Sequence, residues 1–142
     1  MAGGASAIFQ PAFALVLLTF IVSLRLFATR IGEMRRLRIH PQTIATSAQA
    51  AQRLVDTRAA DNFRNLFELP VLFYAALGIA FAIGATDPAT RALAWLFVLL
   101  RVVHSAIQCS YNRVMHRFIA YTAGMATLWA LWIRLAWAMV AS

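Results

Sequence analysis

Hydrophobic residues fall into four long runs along the chain, separated by polar segments. These runs predict membrane-spanning helices at about residues 8–29, 60–84, 90–109 and 117–140. A helix rises about 1.5 Å per residue, so roughly 20 apolar residues cross about 30 Å of hydrocarbon. The strictly apolar part of the third run, Ala92 to Leu100, is too short to cross alone, so its helix is expected to continue through Arg101, His104 and Gln108. The pattern predicts an all-α membrane protein in which residues 1–142 form a single domain, a four-transmembrane-helix bundle.

The polar segments between the runs predict the orientation of the chain in the membrane. A connector of residues 30–57 and a joint of residues 111–117 together hold most of the arginines, whereas the turn of residues 84–88 holds none. The positive-inside rule then places the connector and the joint in the cytoplasm and both termini on the opposite side. We expect an integral, multi-pass protein of a bacterial inner membrane. No Lys or Arg precedes the first run, so it lacks the charged region of a signal peptide and is expected to be retained.

Composition supports the membrane assignment and limits the possible partners. The chain is 62% hydrophobic and only 13% charged, whereas a soluble domain is roughly half apolar and a quarter charged. Its formal charge is +8, and every basic residue other than histidine is Arg, whose planar guanidinium binds carboxylates at two points. Because these arginines flank apolar runs, nucleic-acid binding is not expected. The single cysteine, Cys109, excludes an intrachain disulfide and a zinc cluster, and no metal site is expected.

Polar side chains form one stripe on each of two predicted helices. The first stripe, with spacings of 0, 3, 4 and 7, contains Asp61, Arg64, Asn65 and Glu68. The second, with spacings of 0, 3, 7 and 10, contains Arg101, His104, Gln108 and Tyr111. Each spacing keeps its residues on one helix face, and both stripes are expected at the same depth. An ionised group at a membrane-helix centre costs about 2.5 to 3.5 kcal/mol, so the clusters must be paired, hydrated or functional. Surplus positive charge predicts an anion site; the alternative is an interhelical salt-bridge lattice that fixes helix register.

The sequence around these stripes resembles the superfamily of membrane-associated proteins in eicosanoid and glutathione metabolism. That group includes the microsomal glutathione transferases and microsomal prostaglandin E synthase. The resemblance covers nearly the whole chain and is most specific in Arg64-Asn65-Leu66-Phe67-Glu68, followed by Leu69 and Pro70, which is similar to the Arg-Asn-x-x-Glu segment of the second helix. Further similar segments are Arg101-Val102-Val103-His104 in the third helix and Gly32-Glu33-Met34-Arg35 at the end of the first.

The resemblance implies a homotrimer that binds glutathione between neighbouring subunits, near the cytoplasmic surface. By position, it assigns to the glutathione site Arg35, Arg64, Asn65, Glu68, His104 and Arg117, to which we add Arg101, Gln108 and Tyr121. The chemistry is compatible, because the two carboxylates of glutathione suit Arg35, Arg64 and Arg101, and its ammonium suits Glu68.

The resemblance also implies an arginine that stabilises the glutathione thiolate. A free thiol has a pKa of about 8.5, and a neighbouring guanidinium lowers it. Arg117, followed by Tyr121 four residues later, is similar to the family's catalytic arginine at the start of the fourth helix, and Arg113 is the alternative. The chain departs from the family at Gln108, where Tyr is frequent, and from prostaglandin synthase at Phe118, where that enzyme has Ser.

These features favour a glutathione-dependent transferase or peroxidase that acts on lipophilic electrophiles. Its expected partners are a second and third copy of itself, glutathione as co-substrate, a lipophilic small molecule and the membrane lipids. The alternative is a non-catalytic lipid-binding or scaffolding protein of the same fold. A transporter is a weaker third hypothesis, because polar groups at the membrane surface provide no path through its middle.

Overall fold

The computed structural model describes residues 6–141, so residues 1–5 and 142 of the predicted domain lie outside the described range. Every regular element in that range is helical. Short 3₁₀ helices occupy Ala7–Phe9 and Pro41–Ile44, and the α-helices are α1 (Gln10–Leu37), α2 (Ser47–Arg53), α3 (Arg58–Asn65), α4 (Leu69–Ala82), α5 (Pro88–Cys109) and α6 (Val114–Ala141).

Four helical segments are long and apolar enough to cross a membrane: Ala7–Leu37, Arg58–Ala82, Pro88–Cys109 and Val114–Ala141. The predicted all-α protein with four spans is therefore confirmed at this level. Between the spans, α5 and α6 form the most extensive helix pair, and Phe73 of α4 stacks on Phe97 of α5 with 4.6 Å between ring centroids. The homotrimer stays a prediction.

The first helix is longer than its hydrophobic run, and its polar end carries a buried carboxylate. α1 continues past residue 29 to Leu37 and stops where Arg38 adopts the left-handed conformation, with φ of 53°. Near this end Glu33 is buried, and its carboxylate accepts hydrogen bonds from the backbone N–H groups of Val55 and Asp56. The first part of the predicted connector therefore belongs to α1 and holds the second part in place.

Arginine side chains tie the connector to the end of α5. Arg58 pairs with Asp56 at 2.8 Å and donates to the backbone carbonyl of Ser110. Arg25 of α1 donates to the neighbouring carbonyl of Cys109. Hydrogen bonds from Arg58 hold the pKa of Asp56 below its usual value, although burial acts in the opposite direction. Carbonyls at a helix C-terminus lack partners within the helix, and these two guanidinium groups supply them.

A turn on the opposite side of the bundle is fastened by an aspartate. Gly84 takes a left-handed φ of 72°, and Asp87 caps α5 by accepting from the N–H groups of Ala89 and Thr90. Arg134 of α6 donates to the Asp87 carboxylate at 2.7 Å and to the Thr90 hydroxyl at 3.0 Å. The turn is therefore joined to α6 as well as to α5.

The second span is broken at the residues that carry its polar stripe. α3 ends at Asn65 and α4 begins at Leu69, because Pro70 has no N–H to donate to the carbonyl of Leu66. The break leaves the carbonyl of Asn65 outside a continuous helix, and Nη2 of Arg101 donates to it at 2.6 Å. A broken helix inside a membrane needs such partners for its free backbone groups.

We expect Asp87→Ala to destabilise the protein by about 1 kcal/mol or more, since it removes a helix cap, whereas Asp87→Asn keeps a capping oxygen and costs less. Burial raises the pKa of Asp87, but hydrogen bonds from Thr90, Ala89 and Arg134 outweigh it and lower the pKa to about 2 from 3.8. A carboxylate whose pKa is lower in the folded than in the unfolded protein stabilises the fold at pH values above its unfolded pKa. This stabilisation is lost as the pH falls through the folded pKa. In thermal unfolding in detergent, the deficit of Asp87→Asn should shrink as pH falls from neutral towards about 2. An equal deficit at every pH would contradict the ionic contribution.

We expect Arg101→Ala to lower the free energy of unfolding by roughly 2 to 3 kcal/mol, because it opens a void and leaves the Asn65 carbonyl unpaired. These losses should outweigh the free energy gained because a charged guanidinium is no longer buried. Leu99→Ala is the matched control in the same helix, since Leu99 is 59% exposed and should cost less than about 1 kcal/mol. Chemical denaturation in detergent measures both. Equal stability of the two variants would show that the helix break does not depend on Arg101.

Candidate functional site

A cavity of about 390 Å³ opens between α3, the end of α5 and the start of α6. Its lining residues are Asp61, Arg64, Asn65, Glu68, His104, Gln108, Val114, Arg117, Phe118 and Tyr121. The lining is mainly polar, although most of each helix is apolar. It lies at the end of the bundle that holds the connector and the joint, where the sequence predicts a site.

Seven of the ten residues that the sequence predicts for the site line this one cavity. They are Arg64, Asn65, Glu68, His104, Gln108, Arg117 and Tyr121. Direct contacts join the two polar stripes: Nδ2 of Asn65 donates to Oε1 of Gln108 at 3.2 Å, and Oε1 of Gln108 lies 2.8 Å from Nε2 of His104. The two stripes therefore meet at Asn65, Gln108 and His104, which agrees with their expected common depth.

His104 links the wall of the cavity to the start of α6. It is buried, and its Nδ1 lies 3.1 Å from the backbone carbonyl of Arg117. The ring of His104 also lies 5.6 Å from that of Tyr121. His104 therefore helps to fix the backbone from which the Arg117 side chain extends.

Arg117 reaches the cavity from the first turn of α6. Its Nη1 donates to Oδ1 of Asn112 at 2.9 Å, and this acceptor is neutral. Among the described residues, no carboxylate forms a salt bridge with Arg117. The guanidinium therefore lines the cavity with its positive charge uncompensated by a direct ion pair.

Arg101 does not line the cavity of its own chain, so the structure does not place it as a direct ligand there. It is buried within the bundle because α5 carries it deeper than His104, behind the ring of Tyr121, with 5.3 Å from the guanidinium carbon to the ring centroid. Its Nη2 binds the Asn65 carbonyl, while its Nε and Nη1 have no partner among the described residues. Arg101 can therefore act on the cavity by its charge but not by contact within this chain.

Arg113 and Arg35 also lie outside the cavity. Arg113 precedes α6, its carbonyl accepts from the N–H of Arg117 at 3.1 Å, and its side chain is exposed. Arg113 lies four residues before Arg117, just outside the helix, and is absent from the cavity lining. Arg35 is exposed near the end of α1 and lines no wall of this cavity in its own chain.

Three residues outside the predicted site complete the lining. Asp61 forms a salt bridge with Arg64 at 3.8 Å. Glu68 forms no salt bridge within the described range. Val114 and Phe118 form an apolar rim and are 64% and 60% exposed. Helical spacing could have identified this rim, because residues 114, 117, 118 and 121 share one face of α6.

Comparison with known proteins agrees with the resemblance found in the sequence. The model of the MAPEG family matches residues 8–137, which include all the residues that line the cavity. No curated protein and no solved structure matches the chain. Since the match spans nearly the whole chain and all four apolar helices, the chain belongs to the MAPEG family, the membrane-associated proteins in eicosanoid and glutathione metabolism.

Proposed function

We propose that this protein is a glutathione-dependent transferase or peroxidase of the membrane, acting on lipophilic electrophiles. The observation that carries the proposal is that Arg117 and Glu68 line the same cavity. Among the described residues, Arg117 has no carboxylate partner and Glu68 has no salt bridge. Membership of the MAPEG family fits glutathione-related or eicosanoid metabolism.

Glutathione suits the charges of this cavity. The lining carries two guanidinium groups, Arg64 and Arg117, and two carboxylates, Asp61 and Glu68, while Arg101 adds a positive charge behind the wall. The tripeptide has two carboxylates and one ammonium, so its negative excess matches the positive excess around the cavity. The Arg64–Asp61 pair is long and solvent-exposed, so separating it for a ligand carboxylate costs little.

In the proposed reaction Arg117 stabilises the thiolate of glutathione. A cation within about 4 to 6 Å favours the charged form of an acid, so the thiol loses its proton at neutral pH. In the transferase reaction the sulfur forms a bond to an electrophilic carbon, whose leaving group departs with the bonding pair. In the peroxidase reaction the sulfur attacks the terminal oxygen of a hydroperoxide and the O–O bond breaks. The sulfur is oxidised to a sulfenic acid, and the departing alkoxide takes a proton to give an alcohol.

Lipophilic substrates can approach over the apolar rim of the cavity. Val114 and Phe118 are exposed beside Arg117, on the helix that continues into the membrane. An electrophile dissolved in the bilayer would meet this rim before it meets the polar wall. We propose that the Arg-rich end of the bundle faces the cytoplasm of a bacterium, so that glutathione enters the cavity from the cytoplasm.

A homotrimer is part of the proposal, because the resemblance places glutathione between subunits. Arg35 is exposed and absent from the cavity of its own chain. We propose that it extends to the cavity of a neighbouring subunit and binds a glutathione carboxylate there. Arg101, by contrast, is assigned an electrostatic rather than a contact role.

Glu68→Gln and Arg64→Ala should each weaken glutathione binding by about tenfold, since each removes one charge-assisted hydrogen bond worth roughly 1.5 to 3 kcal/mol before compensation by water. Isothermal titration calorimetry on purified protein in detergent measures the affinity. Arg53→Ala is the matched control, because Arg53 is an exposed connector arginine outside the cavity. Absence of binding to the wild type at millimolar glutathione would refute the proposed function and favour the non-catalytic alternative.

Arg117→Ala should remove most of the ultraviolet absorbance of the glutathione thiolate at neutral pH, whereas Arg113→Ala should retain it. Losing a nearby cation raises the thiol pKa by about one unit or more, which is about a tenfold loss of thiolate near neutral pH. Difference spectra of each variant with saturating glutathione measure this. If Arg113→Ala loses the signal and Arg117→Ala keeps it, the thiolate-stabilising role belongs to Arg113.

A further inference from the structure

Asn112 lies in the joint before α6, outside the cavity lining, and contacts the guanidinium that faces the cavity. Its Oδ1 accepts a hydrogen bond from Nη1 of Arg117 at 2.9 Å. We propose that Asn112 is a positioning residue that fixes the Arg117 guanidinium and, being a neutral acceptor, leaves its charge for the bound anion. This inference rests on the proposed function and assigns a second residue to its thiolate-stabilising group.

The backbone fixes where the Asn112 amide lies. Asn112 has a φ of 49°, in the left-handed region that asparagine tolerates better than most residues with a side chain. Its N–H donates at 2.9 Å to the carbonyl of Ile107, and the N–H of Ser110 donates to the same carbonyl at 3.2 Å. The amide oxygen is therefore attached to the closed end of α5 and not to a freely moving loop.

Arg117 is held at two places as a result. His104 binds its backbone carbonyl at 3.1 Å, and Asn112 binds the far end of its side chain at 2.9 Å. A free arginine side chain loses rotamer entropy when it is ordered. Because this ordering is already present without ligand, less of it opposes stabilisation of the thiolate.

The choice of an amide over a carboxylate matters for charge. Arg58 and Arg134 also have side-chain partners, but these are Asp56 and Asp87, at 2.8 and 2.7 Å. Each of those pairs is neutral overall and fastens a turn or connector. Asn112 fixes Arg117 by a similar contact without cancelling its charge, which a thiolate requires.

Two substitutions separate fixing from charge. Asn112→Gly keeps the left-handed backbone and removes the acceptor, while Asn112→Asp keeps the geometry and adds a negative charge. We expect Asn112→Asp to raise the pKa of the bound glutathione thiol by about one unit. We expect Asn112→Gly to lower kcat with a model electrophile roughly tenfold and to change KM for glutathione much less, because the guanidinium is misplaced in the transition state. Thiolate absorbance against pH and steady-state kinetics measure these effects.

Arg38→Gly is the matched control, since Arg38 is the other residue with a side chain and positive φ in the described range and also follows a helix end. It should retain the wild-type thiol pKa and kcat. If both Asn112 variants are folded and titrate like the wild type with unchanged kcat, the positioning role is refuted.

A ligand-free measurement keeps this inference separate from the proposed function. Phenylglyoxal modifies accessible, mobile arginines, and mass spectrometry of peptides gives the rate at Arg117 alone. Asn112→Gly should accelerate that rate several-fold, and Asn112→Asp should not. Wild-type protein that fails to bind glutathione would refute the proposed function, but an unchanged rate at Arg117 in Asn112→Gly would refute the inference itself.

Discussion

The hydrogen bond from Arg101 to the Asn65 carbonyl holds together the two helices that form the polar cavity. Pro70 breaks the second span, and the break leaves a backbone carbonyl that no helical N–H reaches. A backbone carbonyl freed in this way needs another hydrogen-bond donor, and a neighbouring span provides one. Arg101 supplies that donor at 2.6 Å from within the bundle. The polar ends of α3 and α5 consequently meet at one level, which is the condition for a shared cavity.

The arginines of this chain differ in function because they differ in partner. Arg58 and Arg134 bind carboxylates and form neutral pairs that fasten the connector and the far turn. Arg25 and Arg101 bind backbone carbonyls, where a guanidinium completes the hydrogen bonding of an interrupted helix or a helix end. Arg117 binds a neutral amide and keeps its charge available. The net charge of +8 therefore does not form one uniform basic surface, because the arginines have different partners and different roles.

The sequence is sufficient to predict the four spans and the meeting of the two stripes, because run length and helical spacing are local properties. It does not reveal burial: the stripe that contains Arg101 predicts its helix face, but only the packing against Tyr121 and the neighbouring helices shows that it is buried. The hydrophobic pattern also underestimates the length of α1, because it assigns Glu33 to the connector, whereas the resemblance places Gly32–Arg35 at the end of the first helix. The resemblance leaves Arg113 as an alternative to Arg117, and only the structure shows that Arg117 lies within α6 and lines the cavity whereas Arg113 does not.

Hydrogen bonds connect the end of α5 to the start of α6. These contacts fix the position of Arg117, although the joint between the two helices is short. Asn112 closes α5 through its backbone and binds Arg117 through its side chain. His104, eight residues earlier in the chain, binds the Arg117 carbonyl. The direction of the guanidinium therefore follows from the geometry of α5 rather than from α6 itself. The same helix carries Arg101, whose bond to Asn65 sets the opposite wall, so a single span fixes both sides of the cavity.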